Sequence, residues 1–248
     1  MQSIEISGVR NDSINMRIFL DQVDEYLSGA KKRDIILTGA HGIILMQKDE
    51  ELRGINNNAQ LVTPDGMSTV LCHWFLGRFN VRKVYAPTIM INLFSGKYAK
   101  MKHYFVGGKD DKVLDDLIAT IKSKYGIQNV RGFCPPFRAL KESEEEFLVN
   151  DTLNFQPDFV WVGLGCPKQE KFIHRYMQRL GGKVFIGVGA GFDFISGHKP
   201  LAPTFVQNSG LEWLYRLMTD FKYLWPRYKV IVPKIIKIII FRQFKIIP

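Results

Sequence analysis

The sequence predicts an α/β protein with a Rossmann-like, mostly parallel sheet, helices on both sheet faces, and a basic helical appendage at its C-terminal end. Apolar runs that end in glycine recur along the chain, and amphipathic stretches separate them. This is the pattern of buried parallel strands joined by helices. The 248 residues, 46% of them hydrophobic, can bury a large core without metals or cross-links. We therefore expect an α/β domain over residues 1–197 and an appendage over 198–248.

Short strands and amphipathic helices alternate through the α/β region. The predicted strands are 34–38, 61–63, 83–86, 103–106, 128–133, 158–165 and 183–189. Each is an apolar run followed by glycine, proline or another turn former. Helical spacing of apolar residues predicts helices over 14–27 and 113–121. Acidic residues at 142–146 are more typical of the solvated start of a helix than of a metal or catalytic cluster.

The last part of the chain is basic and rich in isoleucine. Of the net charge of +10, the segment 221–248 supplies seven cations and no acid. Apolar residues over 210–225 predict a helix that Pro226 ends or kinks. We expect 234–247 to be helical as well, with its cations on one face. Such a tail suits an anionic partner, and its frequent charges disfavour a membrane span.

Cysteine usage and the N-terminal residues favour the cytoplasm. Cys72, Cys134 and Cys166 are odd in number, widely spaced and without CxxC spacing, so we expect reduced thiols. The first residues lack the basic and apolar regions of a signal peptide. The five histidines show neither HxxxH nor HExxH spacing, and we therefore expect no metal site. We interpret Cys166 as a small buried residue rather than a nucleophile.

Glycine-containing loops follow several predicted strands. Ligands of open parallel sheets bind beyond the carboxyl ends of the strands, where glycine lets the backbone approach a phosphate. The candidate loops are 38–39, 64–66, 106–109, 163–170 and 187–191. None is a P-loop or a complete GxGxxG motif. One such loop is as typical of a simple turn as of a site, but their recurrence favours a phosphorylated or nucleotide ligand.

Three polar residues of these loops, and Asp193 just beyond the last loop, are candidates for chemistry. Asp65 follows a short strand on a tight Pro-Asp-Gly turn and could serve as a general base, although aspartate also favours turns for its own sake. Gln169 and Glu170 lie in the first turn of a helix that Pro167 can open, where they suit either capping or ligand recognition. Asp193 could bond a sugar or fix its own loop.

In this order, the motifs resemble the WecG/TagA/CpsF family of bacterial glycosyltransferases, which are N-acetylmannosaminyltransferase-like. The matching stretches are Thr-Pro-Asp-Gly-Met at 63–67, Phe-Val-Gly-Gly at 105–108, Pro-Pro-Phe-Arg at 135–138, Gly-Leu-Gly-Cys-Pro-Lys-Gln-Glu at 163–170, Gly-Val-Gly-Ala-Gly-Phe-Asp-Phe at 187–194, Ala-Pro at 202–203 and Gly-Leu-Glu-Trp-Leu-Tyr-Arg-Leu at 210–217. The resemblance covers about 34–228.

The resemblance implies an inverting, metal-independent transferase that needs no cofactor. It would move a ManNAc-like sugar or a hexose from a UDP-sugar to a polyprenyl-diphosphate-linked saccharide, in the synthesis of cell-surface polysaccharide or teichoic acid. Asp65 would be the catalytic base. The nucleotide-sugar site would contain Thr38, Gly39, Gly107, Gly108, Gly165, Gln169, Glu170, Gly189 and Asp193. The acceptor diphosphate and the membrane would meet Lys83, Arg216, Lys222, Arg227, Lys229, Lys234 and Lys237.

The partners implied are the UDP-sugar, the lipid-linked acceptor and an anionic membrane on whose cytoplasmic face the protein lies, with self-association also compatible and no nucleic acid. The sequence departs from the family pattern at Gly39, where asparagine is common, and at Lys83 and Lys222, where arginine is expected. Two other classes stay open. They are a nucleotide-dependent oxidoreductase, which the missing GxGxxG opposes, and a non-enzymatic adaptor that uses the basic tail.

Overall fold

Two sheets organise the chain. The computed structural model describes residues 1–203, 206 and 209–247. Its strands are β1 (Ser3–Ile6), β2 (Val9–Asp12), β3 (Arg33–Thr38), β4 (Leu61–Pro64), β5 (His103–Gly107), β6 (Val130–Phe133), β7 (Phe159–Gly163), β8 (Val184–Gly187) and β9 (Phe244–Ile247). Strands β3 to β8 form a parallel sheet in the order β4-β3-β8-β7-β5-β6, and β1 lies between β2 and β9 in a small antiparallel sheet. The predicted α/β fold is confirmed.

Helices cover both faces of the parallel sheet. The helices with described bounds are α1 (Met16–Ser28), α2 (Ala40–Met46), α3 (Glu50–Asn58), α4 (Met67–Phe75), α5 (Ala86–Leu93), α6 (Asp111–Tyr125), α7 (Glu142–Phe155), α8 (Lys168–Tyr176), α9 (Gly191–Ile195), α10 (Glu212–Thr219) and α11 (Phe221–Ile240), with a 3-10 helix at Gly96–Lys100. On one face α1, α5, α6 and α9 pack against Phe105 and Trp161. On the other, α7 and α8 pack against Val160 and Phe185. This burial of apolar surface on both faces holds the sheet.

The helix starts follow from their capping residues. The side chains of Asn15, Asp49 and Asp110 accept hydrogen bonds from backbone N–H groups in the first turns of α1, α3 and α6, which satisfies donors that a helix leaves unpaired. The acidic residues at 142–146 lie in the first turn of α7, where the helix dipole favours negative charge. Their interpretation as a helix start is confirmed.

The strand predicted over 83–86 is wrong. These residues precede and begin α5, and Pro87 lies in the first turn of that helix, where its fixed φ suits helical geometry. A single backbone bond joins this segment to the end of β4, from Val84 N to Pro64 O at 3.1 Å. A short apolar run that borders a proline therefore gave the wrong element, because its length alone does not separate a strand from a helix start.

The helix predicted over 210–225 is divided, and its break is not at Pro226. Helix α10 ends at Thr219, Asp220 has a φ of −136°, and α11 then continues through both Pro226 and Pro233. Each proline removes one hydrogen bond from the interior of α11. The break falls instead at Asp220, whose carboxylate pairs with Lys199 Nζ at 3.2 Å.

The wholly helical tail predicted over 234–247 is also wrong. Residues 244–247 form β9, which pairs antiparallel with β1, so Arg242 and Lys245 do not share a helical face with Lys234 and Lys237. Three isoleucines of α11 and Phe244 are buried with apolar residues of β1, β2 and α2. They are Ile231, Ile235 and Ile238. A pairing between opposite ends of the chain leaves no local pattern, and the isoleucine run is partly core.

Candidate active site at the carboxyl edge of the sheet

Neighbouring strands lead to helices on opposite faces at the carboxyl edge of the parallel sheet, which opens crevices between them. After β5 the chain enters α6 on one face, and after the adjacent β7 it enters α8 on the other. The same divergence separates β3, which leads through α2 to α3, from β8, which leads to α9. Ligands of open α/β sheets bind where adjacent strands diverge in this way. The topology therefore brings all the candidate loops to one edge.

The glycine loops of β5 and β7 approach each other closely. Gly107 has a φ of 138°, and a Cβ built on it would lie 2.8 Å from the carbonyl oxygen of Gly163. Only glycine fits there, because both the backbone conformation and the space exclude a side chain. Gly108 follows at the same edge, and Gly165 precedes the turn into α8. All three glycines lie at the carboxyl edge, and their contact with a nucleotide stays a prediction.

Gln169 links α8 to the loop that follows β8. Its Oε1 accepts a hydrogen bond from Gly189 N at 2.8 Å, and its Nε2 donates to Glu170 Oε1 at 3.0 Å. Both side chains are buried. Neither caps α8, whose N-cap residue is Pro167. Burial raises the pKa of the Glu170 carboxyl, against the lowering effect of its hydrogen bonds. Gln169 therefore fixes the crevice wall, and donor recognition by the pair stays a prediction.

Thr38 is buried at the end of β3 with its polar atoms engaged. Its Oγ1 donates to Asn56 Oδ1 at 2.5 Å, and its carbonyl oxygen accepts from Asp65 N at 3.3 Å. Asn11 Nδ2 donates to the carbonyl oxygens of both Thr38, at 3.3 Å, and Thr63, at 3.2 Å. One buried amide therefore holds the ends of β3 and β4 on either side of the candidate base.

His73 supports Asn11, and we call these two side chains the clamp. The sequence analysis predicted neither of them as a site residue. His73 Nε2 lies 2.9 Å from Asn11 Oδ1, and Nδ1 lies 3.2 Å from Ser13 Oγ. Because Asn11 uses its NH₂ group on the two carbonyls, its Oδ1 must accept from His73 Nε2. Burial, with a smaller effect from Arg78, lowers the pKa of His73 to about 4. No motif marked either residue, and Asn11 precedes the stretch that carried the resemblance.

Asp65 lies directly after β4 against Gly39. A Cβ on Gly39 would lie 2.1 Å from the carbonyl oxygen of Asp65, so the two loops meet without a side chain between them. Burial raises the pKa of the Asp65 carboxyl; Arg216 and Lys83 act to lower it, and Glu212 acts to raise it further. A carboxylate with a raised pKa is a stronger base than a solvated one. The arrangement suits proton abstraction.

The cations nearest to Asp65 form a cluster around Glu212. Lys83 Nζ contacts Glu212 Oε2, and Arg216 NH2 lies 2.6 Å from Glu212 Oε1. The Lys83 ammonium also lies 3.9 Å from the ring centroid of Tyr85, and the Arg216 guanidinium lies 4.9 Å from that of Phe194. The structure thus brings two of the predicted acceptor-site cations to Asp65. Their carboxylate partner was not singled out from the sequence.

The remaining predicted residues lie on α9 and α11. Arg227 contributes to the lowered pKa of His41 and opposes the burial that raises the pKa of Cys166, which places it beside the α2 and α8 ends. Asp193 accepts a backbone bond from Lys199 N at 2.9 Å, a contact that fixes its own loop. Four cations of α11 are exposed on the outer surface and are not brought to Asp65. They are Lys222, Lys229, Lys234 and Lys237.

Residues 1–203, 206 and 209–247 contain neither a metal-binding cluster nor a membrane-spanning helix. No group of three or more histidine, cysteine, aspartate or glutamate side chains there is arranged to hold a metal ion. No helix in the same part of the chain has both the length and the apolarity needed to cross a bilayer. Burial raises the pKa of the Cys72 thiol to about 12 and also raises that of Cys166, so neither favours a reactive thiolate.

Comparison with known families decides the class of protein. The model of the Glycosyl transferase WecG/TagA/CpsF family matches residues 4–246. The chain belongs to the WecG/TagA/CpsF family of glycosyl transferases. The matched region includes the N-terminal hairpin and the C-terminal strand β9, both outside the 34–228 stretch that carried the resemblance. The match confirms the predicted family and the glycosyltransferase class. It favours neither of the two alternatives, an oxidoreductase or a non-enzymatic adaptor.

Several curated relatives share the name N-acetylglucosaminyldiphosphoundecaprenol N-acetyl-beta-D-mannosaminyltransferase. This WecG/TagA/CpsF chain is 26% identical to the Bacillus subtilis protein over 228 residues, which are 92% of the chain and 87% of the relative. It is 29% identical to that of Bacillus spizizenii over 164 residues, 66% and 62% of the two chains. It is 21% identical to that of Staphylococcus aureus over 224 residues, 88% and 85% of the two chains.

Proposed function

We propose that this transferase moves N-acetylmannosamine, or a similar sugar, from a UDP-sugar to N-acetylglucosamine linked to a polyprenyl diphosphate, in teichoic-acid or other cell-surface polysaccharide synthesis. The relatives' shared name supports the transferred sugar and the acceptor. The main support for the proposal is the environment of Asp65. Its backbone meets Gly39, its carboxyl has a raised pKa, and the Lys83 and Arg216 cations act on it.

In the proposed reaction the Asp65 carboxylate takes the proton of the attacking acceptor hydroxyl. The hydroxyl oxygen forms a bond to the anomeric carbon of the donor sugar as the bond from that carbon to the UDP oxygen breaks. One displacement inverts the anomeric configuration. The electron pair of the broken bond leaves on the diphosphate of UDP, and the proton stays on Asp65. General-base catalysis of this kind contributes about 10²–10⁴-fold to a rate.

The charges around Asp65 change in step with the reaction. Ionised Asp65 and Glu212 balance Lys83 and Arg216, so these four groups start near neutrality. When Asp65 accepts the proton, the group gains one net positive charge as the departing UDP gains negative charge. Fixed cations in a partly dry site stabilise such charge without a step that must reorganise them. In this proposal the chain's own cations serve the leaving group, and no metal or cofactor is required.

The glycine loops are assigned to the donor in this proposal. Gly39, Gly107, Gly108, Gly165 and Gly189 lie at the carboxyl edge, where backbone N–H groups can reach a diphosphate. Thr38 and Gln169 shape the same edge of the sheet through their bonds to neighbouring backbone and side chains. With Glu170 and Asp193 they complete the proposed nucleotide-sugar site.

We further propose that the protein binds the cytoplasmic face of an anionic membrane through the outer surface of α10 and the first half of α11. Large apolar side chains are exposed along this surface, and exposed cations accompany them. These apolar residues are Leu211, Leu214, Met218, Phe221 and Trp225. Each lysine near anionic lipid contributes about 1 kcal/mol. The buried isoleucines of α11 take no part, since the core already holds them.

A donor screen tests the proposed reaction. UDP-sugars are incubated with a short-chain lipid-diphosphate N-acetylglucosamine, and UDP release is measured with and without EDTA. We expect release with UDP-N-acetylmannosamine and the same rate in EDTA. Release that stops in EDTA would contradict the metal-free scheme, and thermal protection by NAD but not by UDP would contradict the donor.

Sedimentation with anionic liposomes tests the membrane surface. Phe221→Ser should weaken binding, because Phe221 is 52% exposed on the proposed surface. Phe147→Ser is the matched control, since Phe147 is 57% exposed but lies on α7 in the body of the fold. Equal binding by Phe221→Ser and the unchanged protein would contradict this surface.

A further inference from the structure

Helix α10 reaches the active site with side chains that are half-buried or exposed. None of its eight residues, all of which the structure describes, is buried. Just before it, Gly210 approaches Met67, and a Cβ built on Gly210 would lie 3.3 Å from Met67 Cγ. Glu212, in the first turn of α10, attaches the helix through an ion pair with Lys83. A helix that buries so little apolar surface needs directional contacts to hold one position.

Glu212 supplies those contacts with both carboxylate oxygens. Oε2 contacts Lys83 Nζ on the body of the fold, and Oε1 lies 2.6 Å from Arg216 NH2, one turn later on α10. The side chains of Lys83 and Glu212 are only 13% and 12% exposed. Solvent screening is weak at such burial, whereas exposed ion pairs contribute little. One carboxylate therefore joins α10 to the body and orients the guanidinium next to it.

We propose that Glu212 is a positioning residue that fastens α10 over Asp65 and aims Arg216 at the departing diphosphate. The inference rests on the proposed transfer reaction and deepens it. Glu212 touches neither substrate in this account and acts through its two cationic neighbours. Lys83, which the family resemblance assigned to the acceptor site, is the residue on the body to which α10 is fastened.

The position of Glu212 also affects the base. The charged and titratable groups that act on Asp65 or are acted on by it are Lys83, Tyr85, Glu212, Arg216 and Tyr228. Glu212 is the negative charge among them that raises the pKa of Asp65. Its loss should lower that pKa, because Arg216 and Lys83 would then act on Asp65 without an opposing charge. A merely structural residue would leave this pKa unchanged.

The variant Glu212→Gln tests the proposal, because it keeps the shape of the side chain and removes its charge. We expect faster backbone hydrogen exchange over 209–219, at least a tenfold loss of kcat/KM, and an acidic limb of the kcat pH profile that moves to lower pH. Lys83→Arg should retain slow exchange, since it keeps the cation. Glu144→Gln is the matched control. Glu144 pairs with Arg138 through two bonds of 2.7 Å on α7, and its variant should change none of these quantities.

Hydrogen exchange is measured without substrate. Its result therefore tests the fastening of α10 independently of the proposed transfer reaction. Wild-type exchange over 209–219 in Glu212→Gln would overturn the fastening. Faster exchange with unchanged kcat/KM and an unmoved acidic limb would overturn the positioning of Arg216 and the effect on the base. If the unchanged protein transfers no sugar while Glu212→Gln alone exchanges faster, the proposed reaction fails and the fastening is supported.

Discussion

Replacing Gly39 with alanine should displace Asp65 without altering its chemistry. Gly39 has a φ of −107° and a ψ of −170°, which alanine adopts without strain, so the cost comes from space alone. The new Cβ would lie 2.1 Å from the Asp65 carbonyl oxygen, whereas carbon and oxygen ordinarily approach to about 3.3 Å. The loop must therefore retreat by about 1 Å. A displacement of that size costs about 100-fold in rate.

The assay is UDP release with the lipid-diphosphate acceptor, compared between Gly39→Ala and Gly54→Ala. A Cβ on Gly54 would meet nothing within 4 Å, and alanine is favoured over glycine inside a helix such as α3 by about 1 kcal/mol. Gly54→Ala should keep full activity and an equal or higher Tm. Gly39→Ala should fold, by far-UV circular dichroism, and lose about 100-fold in kcat/KM. Wild-type kcat/KM in a folded Gly39→Ala protein would refute the argument that this close contact fixes the base.

Three further changes give expected outcomes. Asp65→Asn should lower sugar transfer by about 10²–10⁴-fold yet raise the free energy of unfolding in urea at pH 8. Folding raises the pKa of the Asp65 carboxyl, so the ionised carboxylate lowers stability as the pH rises above its unfolded pKa of about 3.9. A lower stability of the variant at pH 8 would contradict the burial argument. Ile235→Ala should lower the free energy of unfolding in urea by about 2–4 kcal/mol, since Ile235 is 6% exposed. Ile236 is 48% exposed, so Ile236→Ala should change that free energy by less than about 0.5 kcal/mol. Equal small effects would place the isoleucine run outside the core. Asn11→Ala removes two hydrogen bonds to strand-end carbonyls and one from His73, and it should lower the free energy of unfolding by about 1–3 kcal/mol. Asn58→Ala is the control and should change stability little, because its exposed amide bonds only to Gly54 O among the described contacts. Similar urea midpoints for the two variants would argue against the clamp.

The parallel sheet could be predicted because its strands are marked locally. The runs at 158–165 and 183–189 are continuous and apolar, which requires burial on both faces, and they became β7 and β8. The run at 83–86 is shorter and borders Pro87, a residue that starts a helix as readily as it ends a strand. Local pattern therefore sufficed where a strand was fully buried and failed where a proline allowed two outcomes.

The site could be predicted in outline for a topological reason. Loops at the carboxyl ends of parallel strands lie along one edge, so Asp65 and the glycines share that edge, with Gly39 in direct contact with Asp65. The contacts that hold them are long-range and leave no local signal. Asn11 joins β2 to the ends of β3 and β4, and Glu212 finds Lys83 across 129 positions of the chain. The pairing of β9 with β1 is of the same kind.

The reaction product shows directly whether Asp65 catalyses an inverting sugar transfer. The protein is incubated with UDP-N-acetylmannosamine and a short-chain polyprenyl-diphosphate N-acetylglucosamine, in parallel with Asp65→Asn, and the disaccharide is identified by mass spectrometry with its new anomeric bond assigned by NMR. We expect a disaccharide of inverted configuration from the unchanged protein and at least 100-fold less from Asp65→Asn. A disaccharide of retained configuration, or equal amounts from the two proteins, would contradict this expectation.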